Sequence, residues 1–211
     1  MELIGYWRSS AAYRVRIALN LKGIEYQDRF CDLQAGEQHG EEYKRLNPQG
    51  LVPTLITEGV RLTQSLAIIE WLEEAYPNPR LLPSNTAERA LARASAMEIA
   101  CDTHPLNNLR VLNYLRGTLA QPEAAVKAWI GHWISNGLES LEARFARRGG
   151  EFFFDASPGV LEICLVPQLY SARRFGIDVT KYARLLRAER AAAELPAFRQ
   201  AAPEVQSDAR V

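Results

Sequence analysis

The chain has 211 residues, 47% of them hydrophobic and 24% charged; these are ordinary globular values, enough for one large core or two small ones, and they exclude disordered, collagen-like and low-complexity chains. Its 25 Lys and Arg residues balance 25 Asp and Glu, so no net field holds it to nucleic acid or to an anionic membrane, and any anion recognition is local. The three cysteines, Cys31, Cys101 and Cys164, are odd in number and far apart, a pattern that fits a reducing cytoplasm better than a disulfide framework and offers no metal-ligand spacing.

Taken in chain order, Glu2 to Trp7 is rich in β-formers and runs into polar Arg8-Ser9-Ser10. Val15, Ala18 and Leu19 then recur at helical spacing until Lys22-Gly23, so the segment reads as strand, loop and helix with Ser9 or Ser10 as the N-cap. A weaker strand, Tyr26 to Asp32, precedes a polar loop through Gly36 and Gly40 and a short helix, Glu41 to Leu46, which Asn47-Pro48 ends. Val52 to Thr57, a Glu58-Gly59 turn and Val60 to Thr63 read as a hairpin, although Pro53 argues against a central-strand position for that residue. Beyond Gln64-Ser65, the residues Ile68, Ile69, Leu72 and Ala75 mark a helix that stops at Tyr76-Pro77. This βαβαββα order describes an α/β domain over residues 1–80, closed by the proline-rich stretch from Pro77 to Pro83.

From Thr86 to the end, residues 86–211, almost everything has helical period, which predicts an all-α second domain. The period is carried by Leu91, Ala94 and Glu98 to Cys101, then by Leu109, Leu112 and Leu115, and then by Val126, Trp129, Ile130, Trp133, Ile134, Leu138, Leu141 and Phe145. Gly149-Gly150 ends the longest helix, Ser157-Pro158-Gly159 precedes another built on Leu161 to Tyr170, and Leu195-Pro196 divides the last helical stretches. No stretch reaches the ~18 apolar residues of a membrane span, and the start lacks a basic region followed by an apolar core, so neither a span nor a signal peptide is expected.

Three places invite chemistry. A strand that feeds a helix through Arg8-Ser9-Ser10 directs backbone N–H groups and a hydroxyl outward where the helix dipole is positive, an arrangement that lowers the pKa of a bound thiol. Gln64-Ser65 opens a second helix with the same anion geometry and adds an amide suited to an amino-acid carboxylate. Val52 beside Pro53 can present its backbone N–H and C=O to an extended peptide, above all if the proline is cis. Each alone also has a plainly structural reading, as a helix cap or a turn proline.

Read together, Ser9-Ser10 with Arg14 to Leu19, Asn47-Pro48-Gln49-Gly50-Leu51-Val52-Pro53-Thr54-Leu55, and Gln64-Ser65-Leu66-Ala67-Ile68-Ile69-Glu70-Trp71-Leu72 resemble the zeta class of glutathione transferases. Leu165-Val166-Pro167-Gln168 and Ala172-Arg173-Arg174-Phe175 extend the resemblance into the C-terminal half. It implies the glutathione transferase fold, a thioredoxin-like domain followed by a helical one, in a homodimer, and glutathione as the cofactor. The resemblance assigns the sulfur-facing role to Ser9, with Ser10 and Arg8 beside it, the reading of the cysteinyl backbone to Val52 and Pro53, and the γ-glutamyl group to Gln64 and Ser65. Gln38 matches a contact to the glycine carboxylate, and His104, Asn108 and Arg110 match the helical domain's contribution to the cleft; His104, before a proline, also has a structural reading.

Within that class the maleylacetoacetate and maleylpyruvate isomerases are the nearest pattern, which implies cis-trans isomerisation of an unsaturated dicarboxylate in aromatic catabolism by reversible addition of a thiolate. Arginine forks match carboxylates, so Arg8, Arg110 and Arg174 are the expected substrate ligands. Arg110 tilts the expectation toward the shorter maleylpyruvate. Two departures stand out: Ala11 occupies the position where the class usually has cysteine, and Gly159 and Glu162 replace the usual Thr and Asp of a helix-capping box. A transferase that conjugates glutathione to electrophiles, and a non-catalytic interaction module, are the competing expectations.

Overall fold

In the computed structural model, which describes residues 1–210, β1 (Glu2–Gly5) places Ile4 on one face of a sheet and Leu3 on the other, as the strand pleat requires. The strand stops two residues short of the expected Trp7, because Ser9 N–H donates to the Tyr6 carbonyl at 2.9 Å and turns the chain. Ser9 then caps α1 (Ser10–Leu21), and Gly23, with φ of 66°, closes it in the left-handed conformation that glycine adopts without a Cβ penalty. β2 (Gln27–Phe30) lies parallel to β1, and α2 (Glu41–Leu46) has the expected bounds, preceded by a 3-10 turn at Glu37–His39. β3 (Thr54–Thr57) and β4 (Val60–Thr63) form the hairpin, and α3 (Ser65–Ala75) follows.

The strand order is β2-β1-β3-β4, with β3 antiparallel to both of its neighbours. Pro53 sits just ahead of β3, so the missing N–H costs no ladder bond in this central strand. Ile4 and Ile56 meet Tyr43 and Leu46 of α2, together with Cys31 and Val52, on one sheet face. Leu3 and Leu55, one residue out of phase, point to the opposite face and are equally buried.

The chain divides into two compact units, at Leu81 and Leu82, within the proline-rich stretch. The first unit also takes the C-terminal segment from Ala193 onward, which the helical pattern had grouped with the second domain. There α9 (Pro196–Ala201) packs on α1: Arg16 Nε donates to Ala201 O at 3.0 Å and Asn20 Nδ2 to Ala197 O at 3.0 Å. Buried Lys22 fastens the other end of α1 to the end of α3 and to the linker, donating to Glu73 Oε2 and to the carbonyls of Tyr76 and Pro79 at 2.5 to 2.7 Å.

The second unit is helical throughout. α4 (Thr86–Met97) starts at an Asn85 cap, runs into a π-helical turn at Glu98–Thr103 and a 3-10 turn at His104–Asn107, and is followed by α5 (Leu109–Gly117), α6 (Glu123–Phe145), α7 (Val160–Arg174) and α8 (Ala183–Ala193). Of the predicted α6 stripe, Val126, Ile130, Ile134, Leu138, Leu141 and Phe145 are buried, while Trp129 and Trp133 are only half-buried. α4 differs: Leu91 and Ala94 face solvent, and the buried face is Ala92, Ser95 and Ala96, small residues that let α4 lie close against α7. Leu109 is exposed as well.

The altered capping box still works at one end. Gly159 has no side chain to offer, but the Glu162 carboxylate reaches back to Gly159 N–H at 2.8 Å and also accepts from Phe153 N–H at 2.7 Å. Fully buried, its carboxyl is pushed above the ordinary range by desolvation, against the pull of those N–H donors and of the Arg184 charge.

Candidate active site at one end of the sheet

The sheet register brings three separate motifs together. Ile4 pairs with Thr54, and Thr54 pairs with Thr63. The exit from β1 (Tyr6 to Ser9), the entry to β3 (Val52-Pro53) and the exit from β4 (Gln64-Ser65) therefore share one end of the sheet. Two helix N-termini, those of α1 and α3, open at the same end.

At the first, Ser9 Oγ accepts from Ala12 N–H at 3.2 Å, and its own proton remains to be donated outward. Ser10 and Ala11, the first two helical residues, make no backbone N–H hydrogen bond among the described residues. A hydroxyl and two free amides at a positive helix end are a receptor for an anion such as a thiolate. Ser10 itself is buried as the first residue of the helix. Arg8, half-buried, lies with its guanidinium carbon 5.0 Å from the Trp7 ring centroid and makes no ion pair among the described residues. With Ala11 at position 11, this helix start carries no protein thiol, and buried Cys31 is pushed up to about 11 by desolvation, so it is protonated at neutral pH. A sulfur anion seated at this helix start would therefore be a ligand's.

At the second, Gln64 adopts φ 68° and ψ 113°, a conformation that costs a residue with a Cβ about 1–3 kcal/mol. Its Nε2 donates to Gln49 Oε1 at 2.8 Å, which leaves the amide oxygen open. Ser65 is buried, and its Oγ accepts from Arg14 Nη1 at 3.3 Å, so its hydroxyl proton points away from the arginine. The N–H groups of Ser65, Leu66 and Ala67 are unpaired among the described residues. Such an end takes a carboxylate, with an amide acceptor beside it for an ammonium group.

Between the two, the Val52-Pro53 peptide is cis, and the backbone N–H and C=O of Val52 have no partner among the described residues. An extended peptide can bind there as an added strand. Gln38 is buried in the 3-10 turn, with Oε1 lacking a hydrogen bond, and its backbone lies against Gly50: a Cβ on Gly50 would come 2.9 Å from the Gln38 carbonyl. Thiolate receptor, unpaired backbone and amino-acid carboxylate receptor occur together, and this donor set fits a thiol tripeptide.

The second unit holds the other expected residues. His104 opens the 3-10 turn and is half-buried; Asn108 caps α5, its Oδ1 accepting from Arg110 N–H at 3.2 Å. Arg110 is exposed on the first turn of α5. Arg174 is exposed at the end of α7, with its guanidinium carbon 4.2 Å from the Phe175 ring centroid.

The sequence reading gave Arg14, Gln49 and Trp7 no role at the site. A cation amid the buried stripe of α1 was the available signal for Arg14; Gln49 and Trp7 carry no local one.

Comparisons with known proteins bear on the family and the fold. The family described as glutathione S-transferase, N-terminal domain, matches residues 8–75. A probable maleylacetoacetate isomerase of Vibrio cholerae is 48% identical over 209 residues, 98% of this chain and 97% of that one. The holo structure of a maleylpyruvate isomerase, a bacterial zeta-class glutathione S-transferase, superposes with a TM-score of 0.97 at 47% identity over 100% of both chains. A maleylacetoacetate isomerase from Methylobacterium extorquens AM1, with bound malonate and glutathione, has a TM-score of 0.96 at 38% identity, again over 100% of both chains.

Proposed function

From its place in the zeta class of the glutathione S-transferase family, to which this chain belongs, we propose that it is a glutathione-dependent cis-trans isomerase of a maleyl-type diacid, maleylpyruvate or maleylacetoacetate. The observation that carries the reading is the meeting of Ser9, Val52 and Gln64-Ser65 at one sheet end, held in register by Ile4, Thr54 and Thr63. Glutathione, when bound, supplies the sulfur nucleophile that adds reversibly to the conjugated double bond and lets it rotate.

The chain's own groups do the rest. Ser9 Oγ–H and the free amides of α1 stabilise the negative sulfur; Val52 pairs with the peptide; Gln64 and Ser65 hold the γ-glutamyl end; Gln38 serves the glycine end. Arg8 stands beside Ser9 without an ion-pair partner among the described residues, free to grip a substrate carboxylate. His104, Asn108, Arg110 and Arg174 are assigned to the ligands by the family resemblance, the two arginines to the diacid. Exposed Leu91 and Met97 on α4 provide an apolar face for the homodimer that belongs to this reading, and three cysteines outside any disulfide among the described residues suit a cytoplasmic setting.

The test is a spectroscopic assay of both diacids with and without glutathione. Isomerisation that requires glutathione without consuming it is the expected result; turnover in its absence, or a stable thioether product, overturns the proposal. Arg110→Ala should raise KM for the diacid more than it changes glutathione affinity.

A further inference from the structure

Trp7, the residue just before the Arg8-Ser9 pair, is held by two side chains of opposite charge. Its N–H donates to Asp208 Oδ2 at 2.9 Å, across 201 positions of sequence. Its carbonyl accepts from Arg16 Nη2 at 2.9 Å, and the same guanidinium donates to Ala201 O, where α9 ends. Arg16 is 2% exposed and Trp7 6%. Burial lowers the Arg16 pKa, and the charges of Tyr26, Asp28 and Asp208 work against that shift. The second Asp208 oxygen is buried without a hydrogen bond among the described residues. A carboxylate kept there half-satisfied is a costly way to finish a surface tail, unless its bond to Trp7 has a use.

That use is visible in what Trp7 supports. Tyr6 to Ser9 lies outside the β-ladder, between the end of β1 and the start of α1. The Trp7 ring underlies the Arg8 guanidinium, and Ser9 is two residues on. A shift of the Trp7 peptide moves the cation and the hydroxyl together.

We infer that Asp208, on the C-terminal tail, is a positioning residue for the active site, fixing the Trp7 peptide so that Arg8 and Ser9 are presented in their working geometry. The inference rests on the proposed isomerase function. It makes the C-terminal tail part of the catalytic apparatus, although no tail atom needs to touch a ligand.

The experiment compares Asp208→Ala, Asp208→Asn and Arg210→Ala in the full chain, measuring kcat and KM for diacid and glutathione together with Tm. Asp208→Ala should lower kcat/KM for the diacid about tenfold or more while the glutathione KM stays within about twofold. Asp208→Asn, whose Oδ1 can still accept the Trp7 N–H, should recover most of the activity. Arg210→Ala, which breaks only the tail's ion pair with Asp32, should match the wild type. Full activity in Asp208→Ala overturns the inference. So does a parallel fall of Tm and every kinetic constant with no rescue by Asn, the mark of a merely structural role. Ser9→Ala, run alongside, separates the two claims: if it is fully active, the isomerase site itself is misassigned and the inference goes with it; if it is slow while Asp208→Ala is normal, only the inference fails.

Discussion

Replacing Ser9 by alanine removes two interactions that can be measured apart. As the N-cap of α1, Ser9 Oγ accepts from Ala12 N–H at 3.2 Å, a long bond. Its loss should cost stability toward the low end of the usual cap penalty, about 0.5–1 kcal/mol, read as a small fall in the urea midpoint at unchanged m-value. As the donor to the sulfur anion, the same hydroxyl makes a hydrogen bond to a charged group, worth about 1.5–3 kcal/mol, which corresponds to roughly a tenfold to hundredfold loss of kcat/KM at neutral pH. Loss of a donor to the charged form raises the pKa of the bound thiol, so the acid limb of the rate profile should move to higher pH and part of the activity should return in alkali. Ser9→Thr keeps both the cap and the donor and should retain activity. Steady-state rates across pH, with ultraviolet thiolate absorbance of the glutathione complex, provide the readout. An unshifted acid limb together with an undiminished rate in Ser9→Ala would refute the assignment, since a simple cap would account for everything seen.

Three other perturbations probe what surrounds the site. Arg14→Met takes away the donor behind Ser65 and should weaken glutathione binding by about 1 kcal/mol, measured by calorimetry, and an unchanged affinity would show that Arg14 does not orient the Ser65 hydroxyl. Glu162→Ala strands the N–H groups of Phe153 and Gly159 and should destabilise the fold by about 2–4 kcal/mol in chemical denaturation. Because burial raises the Glu162 pKa in the folded state, its contribution is complete below the unfolded value near 4.5 and fades as pH rises through the folded one. The wild type should therefore gain on Glu162→Gln as pH falls from neutral, and a constant difference would contradict the stated cause. Lys22→Met leaves Glu73 and the carbonyls of Tyr76 and Pro79 without their buried cation, and a loss of about 3–5 kcal/mol in thermal or urea unfolding is expected; a change under 1 kcal/mol would show that water replaces the ammonium.

Much of the fold could be read in the chain because its signals are local. Ser9 before an apolar repeat, Lys22-Gly23 after it, the Glu58-Gly59 turn and the stripe from Val126 to Phe145 each depend on residues a few positions apart, and caps, turns and helix faces form at that range. The three glutathione-type motifs were legible for the same reason, and the β-register then carried them to one place. The buried face of α4 was not legible: Leu91 looked like core, yet close contact with α7 selects the small residues Ala92, Ser95 and Ala96. Periodicity locates a helix but leaves open which face its neighbours cover.

What the amino-acid order determined was the succession of elements, the break at the prolines and the motifs that the proposed site draws on. What only the tertiary structure decided was the company those residues keep: Arg14 behind Ser65, Gln49 on Gln64, and Asp208 returning across 201 positions to the N–H of Trp7. Such partners meet only when packing brings distant segments within hydrogen-bond reach, and no local preference along the chain encodes that meeting.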